Sequence, residues 1–198
     1  MTTPQTLRNL AGLPGSPAPL RDSVLVMIDF QNTYTRGVMK LDGADAALAE
    51  ASRLLARARA VGAHVIHVQH DDGPGSLYDL QADIGRIADI VAPGPGETVI
   101  TKAYPSSFEK TSLDEELKRR GAQNVVYAGF MTHMCVNSTA RVGFNLGYAG
   151  TVVGAATATR SLPDLRGGVV PAEEVHRAAL AALGDLFAIV VEDQSQIA

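Results

Sequence analysis

Apolar residues along this chain fall into two kinds of run, and their alternation predicts the architecture. Val24 to Ile28 is continuous and apolar, as in a strand covered on both faces, and Asp29 ends it. From about Ala44 to Val61 the residues Leu48, Ala51, Leu55 and Ala58 recur at spacings of three and four, predicting a helix that Gly62 closes. The pattern then repeats. Strands are expected at His64 to Gln69, Thr98 to Thr101, Val125 to Ala128, Thr151 to Gly154 and Phe187 to Val191. Helices are expected at Thr111 to Arg120, where Ser112 and Glu115 have capping-box spacing, at His133 to Leu146 and at Ala172 to Leu183. Residues 77 to 96 show little periodicity beyond a short helix near Asp83 to Ile90. Strands alternating with helices argue for an α/β fold, an open parallel sheet with helices on both faces.

Ahead of the first strand, residues 1–22 carry Pro4, Pro14, Pro17, Pro19, Gly12 and Gly15 without periodicity, predicting an irregular arm before a single domain over 23–198. A 46% hydrophobic content in 198 residues is enough to bury one substantial core. With 17 basic and 21 acidic side chains the net charge is −4, and no basic block stands out, so neither nucleic acid nor an anionic membrane surface is expected as a partner. No apolar run approaches the ~18 residues of a membrane-spanning helix. The one cysteine cannot form an intrachain disulfide, and the first residues lack the pattern of a signal peptide, so a cytoplasmic location is expected.

That cysteine, Cys135, lies just after the turn that follows the fourth predicted strand, at the start of a helix. A helix N-terminus favours the thiolate, so a lowered thiol pKa is expected there, and a nucleophile is one reading of the position. A small buried filler is the other. Ligand sites of open parallel sheets lie outside the carboxyl ends of the strands. Asp29 and Lys102 occupy two more such ends. Asp29 has the chemistry to take a thiol proton, Lys102 to hold the developing charge and Cys135 to attack a carbonyl, although each alone is an ordinary loop residue.

Three stretches around these residues carry a family resemblance: Asp29-Phe30-Gln31-Asn32-Thr33-Tyr34, then Thr101-Lys102 followed by Pro105-Ser106 and Phe108, and Gly129 through Val136 with Thr139-Ala140. In them the sequence resembles the isochorismatase-like cysteine hydrolases, the group of nicotinamidases and N-carbamoylsarcosine amidase, over about Asp22 to Glu192. The resemblance implies a three-layer αβα, Rossmann-like fold with six parallel strands and a catalytic triad of Asp29, Lys102 and Cys135. It also implies a cis peptide between Phe130 and Met131, with the Met131 and Cys135 N–H groups meeting an oxyanion. A homo-oligomer, dimer or tetramer, is implied as well.

The histidine spacing that holds a metal in nicotinamidases is missing from His70-Asp71-Asp72-Gly73, so no metal and no other cofactor is expected. A cysteine at the nucleophile position argues against the non-covalent ether hydrolysis of true isochorismatases. The leading reading is therefore a metal-independent cysteine hydrolase that cleaves a C–N bond of a small amide or carbamoyl compound through a thioester. Ether hydrolysis with Asp29 as acid and base, and a non-catalytic or redox-sensing thiol, are the alternatives. Tyr34, His70, Phe108, Phe130 and His133 are the candidate substrate contacts; His64, His67 and His176 are expected to be structural.

Overall fold

The computed structural model describes residues 4–198, so the first three residues of the expected arm lie outside the described residues. Six parallel strands form one sheet: β1 (Ser23–Ile28), β2 (His64–His70), β3 (Thr98–Lys102), β4 (Asn124–Phe130), β5 (Ala149–Ala158) and β8 (Ala188–Val191). Their order is β3-β2-β1-β4-β5-β8. The chain builds outward from β1 to β3, returns to β4 beside β1 and continues the other way. The switch in direction lies between β1 and β4, where such sheets bind ligands. The open parallel sheet with helices on both faces expected from the run pattern, and the three-layer αβα architecture implied by the resemblance, are what the structure shows.

Every residue of β1 is buried because both of its faces are covered. Leu25 and Met27 pack towards α2 (Ala44–Ala60) with its Leu48, Ala51, Leu54 and Leu55. Val24, Val26 and Ile28 pack on the other side, with residues of α3 (Leu113–Arg119), α4 (Asn137–Asn145) and α5 (Ala172–Leu186). The small face of α4 lets it sit close: a Cβ added to Gly143 would lie 2.2 Å from the Tyr127 hydroxyl.

Several local expectations are corrected. Leu7–Leu10 of the arm forms one helical turn, α1, capped by Thr6 and tied to α5 by Leu7 N–H on Asp185 and the Arg8 guanidinium on the Leu186 carbonyl. Leu20, near the arm's end, is fully buried. Ser112 makes no capping hydrogen bond, because its backbone (φ −87°, ψ 9°) is not extended; the Thr111 hydroxyl takes the Leu113 N–H instead. The helix near Asp83 is two separate 3₁₀ turns, Asp83–Gly85 and Asp89–Val91. A small antiparallel ribbon, β6 (Leu162–Pro163) with β7 (Val169–Val170), was not foreseen. Among the described residues no helix is long and apolar enough to cross a membrane.

Candidate active site

Sheet register brings the site together. His70 is paired with Lys102 across β2 and β3, and Ile28 is flanked by Val68 and Gly129, so the carboxyl ends of four strands stand level. Asp29 follows β1 with φ of 52°, a left-handed conformation that aspartate tolerates better than most residues, and its N–H donates to the Val68 carbonyl at 2.8 Å. After β4 the Phe130–Met131 peptide is cis, and the chain enters a π-helical turn, Thr132–Val136, that carries Cys135 into α4. Ser107, in the loop after Lys102, donates its N–H to Thr139 Oγ1 at 2.9 Å and accepts from that hydroxyl at 3.0 Å. Those two bonds tie the lysine's loop to the cysteine's helix.

Around the Lys102 ammonium stand Asp29 Oδ2 at 2.8 Å, His70 Nδ1 at 3.0 Å and Cys135 Sγ at 3.4 Å. The Asp29 and Lys102 side chains are wholly enclosed, and Cys135 is 5% exposed. Both Asp29 oxygens are buried, and the ammonium on Oδ2 is the cation that faces them. Cavities of about 400 and 350 Å³ lie elsewhere, one under the arm beside Tyr148 and Phe187, the other between the starts of α2 and α5. The three reactive groups are thus enclosed by protein, where charge interactions are stronger than in water.

The electrostatics overturn one expectation. Burial first, and then the charge of Asp29, push the Cys135 thiol up to about 12 against the pull of Lys102, so the thiol is raised and not lowered. Burial likewise raises Asp29, opposed by Lys102. For Lys102 burial alone favours the neutral amine, but the charges of Asp29 and Cys135 outweigh it and the pKa rises. A neutral thiol thus stands beside a lysine ammonium and an Asp29 carboxyl made more basic than usual by its surroundings.

The candidate contacts divide. Tyr34 is buried, its hydroxyl 3.1 Å from that of Tyr78, and burial raises the pKa of both phenols, with Asp29 and Cys135 adding to it. His70 is on Lys102. Phe130, in contrast, is fully buried between Phe30 and Tyr34 and offers no surface to a substrate, whereas Phe108 is partly buried and stacks on Tyr148 against the cluster under α4. His133 turns its Nδ1 to the Thr159 hydroxyl, and burial followed by the nearby Arg160 lowers its pKa. His67 is held on Glu97, and His176 on the Thr132 hydroxyl. Tyr78 and Gln31 were missed: Tyr78 lies in the aperiodic stretch, and Gln31 gave no chemical signal beyond its place in the first motif. Among the described residues no cluster of three or more metal-ligating side chains occurs.

A family model described as the isochorismatase domain matches residues 23–195. The chain is 35% identical over 190 residues to the secreted isochorismatase effector Isc1 of Verticillium dahliae, spanning 96% of this chain and 97% of that protein. It is 33% identical over 205 residues to the ureidoacrylate amidohydrolase RutB of Pseudomonas syringae pv. syringae, spanning 79% of this chain and 84% of that one. Among solved structures, an isochorismatase from Pseudomonas putida KT2440 superposes with a TM-score of 0.95 at 37% identity, covering 99% of this chain and 100% of the other.

Proposed function

This chain belongs to the isochorismatase family of hydrolases, and on that premise we propose that it is a metal-independent cysteine hydrolase that cleaves a C–N bond of a small amide or carbamoyl compound. The observation that carries this reading is the convergence of Asp29, Cys135 and His70 on one lysine ammonium. The 33% identity to a protein named an amidohydrolase supports the choice of bond.

With its pKa near 12 the thiol does not ionise by itself at neutral pH, so the attack needs a base in place. Asp29 supplies it. As sulfur adds to the carbonyl carbon, the S–H proton passes to the Asp29 carboxylate and the carbonyl electrons move to oxygen, where the Met131 and Cys135 N–H groups receive the charge. Collapse breaks the C–N bond, and Asp29 returns the proton to the leaving amine. Water then hydrolyses the thioester with Asp29 again as base. Lys102 remains charged throughout, holding Asp29 in place and stabilising charge on sulfur.

A second reading, ether hydrolysis with Asp29 as proton donor, draws support from the burial that raises that carboxyl. It leaves Cys135 idle, so Cys135→Ala separates the two. The cysteine-hydrolase reading includes a homo-oligomer, dimer or tetramer, which light scattering measures. The reading is tested by ammonia release from a panel of small amides, carbamoyl compounds and ureides. Release that survives exhaustive EDTA treatment and is lost in Cys135→Ala supports it; no release from any of them refutes it.

A further inference from the structure

Gln31, His70 and Asp72 take part in none of the steps above, yet they form a chain of contacts that ends on Lys102. Gln31 is fully buried. Its side-chain carbonyl accepts the His70 N–H at 2.8 Å, and its amide donates to the His70 carbonyl at 2.9 Å and the Gly85 carbonyl at 2.6 Å. One side chain therefore pairs both backbone groups of His70 at the end of β2. The ring is fixed as well: Nδ1 lies 3.0 Å from Lys102 Nζ, Nε2 lies 3.0 Å from Asp72 Oδ1, and the Tyr78 ring packs against it at 4.6 Å between centroids.

A lysine ammonium has three N–H donors and no lone pair. Three acceptors face it here, Asp29 Oδ2, His70 Nδ1 and Cys135 Sγ. His70 Nδ1 must accept, so the ring proton sits on Nε2, where Asp72 receives it.

We propose that His70 is a positioning residue for Lys102: its Nδ1 lone pair holds the ammonium between the carboxylate and the sulfur, Asp72 fixes the tautomer, and Gln31 fixes the backbone. Without that third acceptor the ammonium collapses onto Asp29, its strongest partner, and the sulfur loses the one cation beside it. The meaning of this for catalysis rests on the function proposed above, but the contact itself is read without any substrate.

The chain has a single cysteine, so the rate of iodoacetamide alkylation, followed by intact mass, reports on Cys135 alone. His70→Leu lowers that rate at fixed pH by about tenfold or more, the range spanned by a hydrogen bond to a charged group. His70→Asn, whose amide oxygen falls near the Nδ1 position, restores it to within about threefold of wild type. Asp72 is half exposed and safe to truncate. Asp72→Ala leaves the fold intact and turns the single Nε2–H tautomer, read by long-range proton–nitrogen NMR of the ring, into a mixture. If His70→Leu does not fold, the tautomer of the wild type and of Asp72→Ala decides the matter. A wild-type ring protonated on Nδ1, a tautomer unmoved by Asp72→Ala, or an alkylation rate unchanged in folded His70→Leu overturns the proposal. An alkylation response with no amide turnover leaves the proposal standing and removes the function instead.

Discussion

Lys102→Met strands a carboxylate that has no access to water. Asp29 and Lys102 are both wholly enclosed and 2.8 Å apart, and removing one partner of such a pair costs about 3–5 kcal/mol, because the remaining charge loses its compensation. For a domain of this size that is a fall in Tm of roughly 6–20 °C. The loss depends on pH. Burial raises the Asp29 pKa even with Lys102 present, and without the ammonium to oppose it the pKa rises further. A carboxyl raised above its unfolded value of about 3.9 contributes stability that is fully present below that pH and lost as pH rises through the folded value. The deficit of Lys102→Met is therefore smallest near pH 4 and grows towards pH 7. Adding Asp29→Asn removes the stranded charge, so the double variant recovers most of the loss instead of summing two. Urea unfolding at both pH values, with m unchanged, measures all of this. A single-variant loss under about 1 kcal/mol, a deficit flat with pH, or additive costs in the double variant would refute the buried-pair argument.

Three further changes test the scaffold. Gly143→Ala drives a methyl to 2.2 Å from the Tyr127 hydroxyl and costs about 1–3 kcal/mol; that hydroxyl is buried without a partner, so Tyr127→Phe is tolerated alone and relieves Gly143→Ala in urea titrations. Glu97 is held down to about 2 by Arg59 despite its burial, with Gly94 N–H and His67 assisting, so its stabilisation is present above the ordinary carboxylate range and lost as pH falls through that value. Glu97→Gln costs about 1–2 kcal/mol at neutral pH, a figure discounted for the 40% exposure of Arg59, and the gap closes between about pH 4.5 and 2. Deleting residues 1–5 leaves a stable domain by thermal melting, whereas deleting through Leu20 removes a fully buried leucine and costs about 2–5 kcal/mol.

What was legible in the chain was whatever a local run records. Continuous apolar stretches marked the sheet strands, and the residues just past them, Asp29, Lys102 and Cys135, could be named because a parallel sheet delivers its strand ends to one edge. Contacts made across the fold left no such trace. Phe130 looks like a pocket aromatic in its motif, and only the packing of Phe30 and Tyr34 shows it to be core. Tyr78 lies in a stretch held by turns and side-chain bonds, such as Gly75 N–H on Asp79, which has no period to read. The thiol pKa was misjudged because a helix start is visible in sequence, whereas the near-complete enclosure of Cys135 beside Asp29 is a property of the assembled site.

The most direct measurement of the central claim is the intact mass of the protein, quenched in acid during turnover of an ammonia-releasing substrate. Wild type is predicted to carry the acyl fragment on Cys135, and Cys135→Ala to carry none and to fall below about a hundredth of the wild-type rate, a barrier increase of at least ~2.7 kcal/mol. Turnover without an adduct, in a protein whose alanine variant keeps more than that fraction, would contradict covalent catalysis and move the chemistry to Asp29 alone.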